Sequence, residues 1–105
     1  MQIVETQLFT KLVTRMLTDE EYRSFQNTLV ENPESGSIIK GSGGLRKIRW
    51  KSHGKGKRGG LRIIYFFIKP EQTIFLIYVY DKSKQTDLSK NQLRLLENIV
   101  KEEIQ

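Results

Sequence analysis

The stretch TIFLIYVY, Thr73–Tyr80, constrains the fold more than any other part of the chain. It is almost continuously apolar and rich in β-branched and aromatic side chains, the composition of a strand. Apolar residues at odd and even positions alike point to a central strand covered on both faces. The whole chain has 105 residues, enough for one domain over residues 1–105 and too few for two.

The other elements follow from period and punctuation. Gln2–Glu5 reads as a short strand. From Thr6, apolar residues at Leu8, Phe9, Leu12, Val13 and Met16 have helical spacing. Thr18 and Glu21 form a capping box for a second helix, with Leu17 and Tyr22 at staple positions. Tyr22, Phe25, Leu29 and Val30 continue one apolar face, and Asn32-Pro33 ends it. Leu45–Trp50 and Arg62–Ile68 are two more strands, and KPEQT turns the second of these into Thr73–Tyr80. Ser89 with Gln92 makes another capping box, Leu88 with Leu93 another staple, and Leu93, Leu96, Ile99 and Val100 the buried face of a last helix. The expected fold is α+β: a small antiparallel sheet packed on two N-terminal helices, with a C-terminal helix. The sheet's second face is expected to be open for a ligand.

Charge is concentrated rather than spread. Nine of the eighteen Lys and Arg residues lie between Lys40 and Arg62, where there is no Asp or Glu; the rest of the chain carries twelve acids against nine bases. Such a cluster collects polyanions, of which nucleic acid is the commonest; a solvated loop that only aids solubility is the bland alternative. The densest part, KSHGKGKRGGLR, is rich in glycine and has no apolar face to insert into a membrane. The N-terminus does not read as a signal peptide, no apolar run could span a bilayer, and cysteine is absent, so a cytoplasmic protein is expected.

Several chemistries are poorly served. One histidine and no cysteine exclude the usual zinc spacings, and Asp81 with Asp87 is a weak carboxylate pair. GSGG and GKGKRGG lack the lysine-serine ending and following helix of a phosphate loop. His53 has the right pKa range for a general base but no patterned partner. Basic residues on strands are better candidates. In LRKIRW, alternation sets Lys47 and Arg49 on one face and Arg46, Ile48 and Trp50 on the other. Arg62 starts the next strand, and Lys82 and Lys84 follow the last. Cations fixed at strand ends suit the charge that gathers on phosphate during phosphodiester cleavage; equally, they could merely solubilise an open face.

Three blocks, NPESGSIIKGSGGLRKIR, GKGKRGGLRIIYFF and IYVYDKSKQTDLS, together with the order of elements, resemble the RelE superfamily of bacterial toxins, in its HigB-like branch. The resemblance implies a ribosome-dependent, metal-independent endoribonuclease without cofactors, cutting messenger RNA in the ribosomal A site. It implies a cognate antitoxin, of a helix-turn-helix, HigA-like kind, through which alone operator DNA is bound. The family's catalytic positions fall on Lys47, Arg49, Arg62 and Lys82 or Lys84, with an aromatic at Tyr80 or Tyr65. The 2′-hydroxyl would attack the scissile phosphate; the proton acceptor stays open, a desolvated lysine serving better than an always-protonated arginine. Lys51, His53, Lys55, Lys57 and Arg58 would grip RNA or the ribosome. Two rivals remain: a ParE-like gyrase inhibitor of the same fold, and an RNA-binding module that does not cut.

Overall fold

The computed structural model describes residues 1–51 and 60–104. In chain order the elements are β1 (Gln2–Glu5), α1 (Gln7–Met16), α2 (Asp19–Glu31), β2 (Ser37–Ile38), β3 (Arg46–Trp50), β4 (Leu61–Ile68), β5 (Thr73–Asp81) and α3 (Lys90–Glu103). The strands form one sheet in the order β1-β5-β4-β3-β2. β2 through β5 pair antiparallel, and β1 adds to β5 in parallel. The sheet is therefore mixed rather than antiparallel throughout. The two-residue β2 is too short to leave a pattern in the sequence.

The helices begin where their caps require. Both expected capping boxes are present: the Thr18 hydroxyl accepts from the Glu21 amide, the Ser89 hydroxyl from the Gln92 amide, and each N3 side chain reaches back to its N-cap amide. Thr6 caps α1, its hydroxyl accepting from the Phe9 amide at 3.1 Å. These contacts satisfy donors that a helix start leaves unpaired.

Two cores lie on the two sheet faces. On one, Phe9 and Val13 of α1 and Phe25 and Leu29 of α2 meet Leu61, Ile63, Tyr65, Ile74, Leu76 and Val79 of the sheet. On the other, Leu96 and Val100 of α3 meet Leu45, Ile64, Ile77 and Tyr80. Each fully buried large side chain contributes roughly 1.5–3 kcal/mol of apolar transfer, so both layers matter in a chain this small. The second face is not open as expected. The staple residues Leu88 and Leu93 and the apolar stripe of α3 cover part of it. Val30, expected on the buried stripe of α2, is 39% exposed instead, because α2 turns only Phe25 and Leu29 fully inward.

A bulge in β5 sets which side chains share a face. Ile64 pairs with Tyr78, but the next residue, Tyr65, pairs with Leu76, so Ile77 is the extra residue. Without it, Ile74, Leu76, Tyr78 and Tyr80 would line one face. With it, Ile74 and Leu76 serve the first core while Tyr78 and Tyr80 serve the second. The Thr6 hydroxyl donates to the Ile77 carbonyl at 3.0 Å, pairing an acceptor displaced from the regular ladder. Among the described residues, no helix is long and apolar enough to cross a membrane.

Candidate active site

Three adjacent strands carry Arg49, Arg62 and Tyr80 in one row. Arg49 of β3 pairs with Arg62 of β4, and Arg62 with Tyr80 of β5. Directly paired residues project to the same face, here the face of α3. Lys47, two residues before Arg49, shares that face and pairs with Ile64. The expected alternation of LRKIRW holds, with Ile48 and Trp50 packed in the first core.

The members of the row differ in exposure. Arg49 is exposed, whereas Arg62 is only 7% exposed, and its Nη1 donates to the Leu61 carbonyl at 3.3 Å. Tyr80 is 3% exposed. Its hydroxyl is buried and, among the described residues, has no hydrogen-bond partner. A buried, unpaired hydroxyl is costly and marks a position where another group can supply the missing bond. Burial, the Asp87 charge and Tyr78 push the Tyr80 phenol above the ordinary tyrosine range, against the opposing effect of Arg62. Tyr80 is thus neutral near pH 7 and a hydrogen-bond donor. The Tyr78 ring lies beside it, centroids 6.0 Å apart.

The segment after β5 folds back toward β3. The Lys82 amide donates to the Gly60 carbonyl at 3.1 Å, extending the β4–β5 ladder, and its Nζ donates to the Thr86 carbonyl at 2.9 Å. Gly60 has φ +71°, and a Cβ there would stand 2.7 Å from the Trp50 carbonyl oxygen. Only glycine fits both demands, so this residue fixes where β4 and Arg62 begin. Asp87 reaches Lys47, with Oδ1 3.4 Å from Nζ, and also accepts from the Leu88 amide at 2.8 Å. That amide first, and then Lys47 and Lys82, hold the exposed Asp87 carboxyl below its ordinary range against a smaller opposing desolvation.

Several sequence expectations need adjustment. Lys47 is not desolvated: its side chain keeps 34% exposure and is paired with Asp87. Tyr65 is on the other face, its hydroxyl donating to the Pro33 carbonyl and accepting from the Gly36 amide, both at 2.8 Å. Asp81 and Asp87 do not form a pair. Asp81 sits opposite Leu61 and accepts from the Ser83 amide and hydroxyl. Lys84 is exposed in the turn, and its amide donates to the Asp81 carbonyl at 3.1 Å. Lys51 is exposed just past β3. His53, Lys55, Lys57 and Arg58 lie outside the described residues. Sequence reasoning weighed Asp87 only as half of a carboxylate pair and missed its ion pair with Lys47. The position of Asp87 just before the Leu88 staple residue was a signal that the chain returns to the sheet there.

A mixed sheet with helices on both faces, carrying two paired arginines and a buried phenol in one row, defines a small α+β protein. Over residues 1–105 the chain matches the family described as the RelE toxin of the RelE / RelB toxin-antitoxin system. It belongs to that family of toxins. Among solved structures it resembles the Escherichia coli toxin RelE, as a double arginine-to-alanine mutant in the free state. The TM-score is 0.57 at 20% identity, over 81% of this chain and 86% of that one. The intact Escherichia coli RelBE toxin-antitoxin complex matches with TM-score 0.55 and 22% identity, over 74% and 92%. A conserved hypothetical protein of Helicobacter pylori, HP0892, matches with TM-score 0.54 and 20% identity, over 80% and 97%. At these identities the structural likeness concerns the fold.

Proposed function

We propose that this toxin is a ribosome-dependent endoribonuclease that cuts messenger RNA in the decoding site and needs no metal. The observation that carries the reading is the row Arg49–Arg62–Tyr80, with its buried, unpartnered phenol. The 2′-hydroxyl beside the scissile phosphate gives its proton to solvent water as its oxygen attacks phosphorus and the bond to the 5′-oxygen breaks, leaving a 2′,3′-cyclic phosphate and a 5′-hydroxyl. Arg62 and Lys82 stabilise the charge that gathers on the phosphate. Arg49 and Lys47 bind and orient it, the fork of a guanidinium matching two phosphate oxygens. Tyr80, neutral and already desolvated, hands its proton to the departing 5′-oxygen. Lys51, His53, Lys55, Lys57 and Arg58 grip ribosomal RNA or the message.

The same reading makes this one cytoplasmic domain of the HigB-like branch, held by a cognate antitoxin of helix-turn-helix kind. The RelBE complex, similar in fold, supports an antitoxin partner. The test is to strip the protein of metal with a chelator, remove the chelator, add the protein to programmed ribosomes and map the RNA ends. Transcripts bearing 2′,3′-cyclic phosphate and 5′-hydroxyl ends support the reading. Bound but intact message would leave a non-cutting RNA-binding module, and DNA damage in expressing cells would point to gyrase.

A further inference from the structure

Beside the row lies a cleft of about 360 Å³, lined by residues of β2, β3 and the approach to α3. Its apolar side-chain walls are Ile39, Leu88 and Leu93, all packed on the α3 face, and its polar residues include Lys40, Lys47 and Asp87. Lys47 belongs to both the row's face and the cleft wall, so whatever fills the cleft is within reach of a phosphate on Lys47. Asp87 uses Oδ1 for both Lys47 and the Leu88 amide, and no described group donates to Oδ2. A free carboxylate oxygen accepts hydrogen bonds and cannot donate them.

We propose that this cleft is a nucleobase pocket, in which the apolar side chains hold one base of the RNA and Asp87 selects bases with an exocyclic amine. The proposal rests on RNA being the substrate, as proposed above. An aliphatic-walled cleft with one acceptor and flanking cations fits a base joined to a phosphate better than a peptide or a lipid. Adenine, cytosine and guanine each offer an amino group to a carboxylate. Uracil offers only an N–H set between two carbonyl oxygens, which the carboxylate repels. A hydrogen bond to a charged acceptor is worth roughly a tenfold or greater preference.

The experiment is a titration of the intact protein, methyl-labelled at Ile and Leu, with AMP, CMP, GMP and UMP, followed by NMR. The expected result is saturable shifts of the Ile39, Leu88 and Leu93 methyls. The three amino-bearing nucleotides should bind roughly tenfold or more tightly than UMP. Asp87→Asn should keep the bond to the Leu88 amide, and with it the approach to α3, but erase that preference. Equal affinity for all four nucleotides in the wild type overturns the selection by Asp87. Shifts confined to residues away from the cleft overturn the pocket itself. Intact message on programmed ribosomes, the result that defeats the nuclease reading, would leave these nucleotide shifts unchanged, so the two failures can be told apart.

Discussion

Arg49 and Arg62 stand directly opposite each other across β3 and β4, two guanidinium-bearing residues on the same face. Like charges at directly paired positions cost stability, of order 0.2–1 kcal/mol. In the proposed mechanism the two bind one RNA phosphate. Arg49→Ala should therefore leave the melting midpoint unchanged or slightly raised. It should also weaken RNA binding and lower the salt slope by about one unit, as for a lost phosphate contact. Thermal melts and a salt titration of RNA affinity measure the two effects. A clear loss of stability with unchanged salt dependence would make Arg49 a structural residue.

The buried hydroxyl of Thr6 links the first helix to the sheet. It accepts from the Phe9 amide and donates to the Ile77 carbonyl at the bulge. Thr6→Val keeps the shape and removes both bonds. The expected cost is about 1–3 kcal/mol, from a lost cap and an acceptor left unpaired. Because the bulge sets the phase of Tyr78 and Tyr80, the variant should also lower cleavage activity more than its stability loss alone explains. Urea unfolding and single-turnover cleavage at a temperature where the variant is fully folded provide the comparison.

That bulge also shows where sequence reading stopped. The run TIFLIYVY declared a strand covered on both faces, but a run apolar at every position hides the residue at which the alternation slips. The capping boxes at Thr18 and Ser89 were legible because they rest on residue types at fixed local spacing. So was the shared face of Lys47 and Arg49, because strand alternation is local. What depends on contacts far apart in sequence was not legible. α3 covers part of the second face, β1 joins β5 in parallel, and Asp87 crosses to Lys47. The separation of Tyr65 from Tyr80 belongs here too: both are aromatic, on adjacent strands, yet they face opposite cores.

Tyr80 should titrate late. Its phenol is held above the ordinary value of 10.0 chiefly by burial. A raised folded-state pKa means that its share of stability is fully present below the unfolded-state value and is lost as pH rises through the folded one. Tyrosinate absorbance recorded for wild type and Tyr80→Phe should therefore differ only above the ordinary tyrosine range. Cleavage should not fall through loss of the Tyr80 proton anywhere between neutral pH and that range. A difference spectrum already developed near pH 9 would contradict the protonated, donating role.

The central claim is that the row on the α3 face cuts RNA. Single-turnover cleavage of message on programmed ribosomes, with ribosome affinity measured alongside, tests it most directly in three variants: Arg62→Ala, Arg62→Lys and Tyr80→Phe. Removing a transition-state contact typically costs on the order of 10²–10³ in rate, and that loss is expected for Arg62→Ala and Tyr80→Phe with near wild-type circular dichroism and ribosome binding. Arg62→Lys should recover only part, since an ammonium cannot form the paired bonds of a guanidinium. Folded, ribosome-bound variants that cut at the wild-type rate would contradict the account.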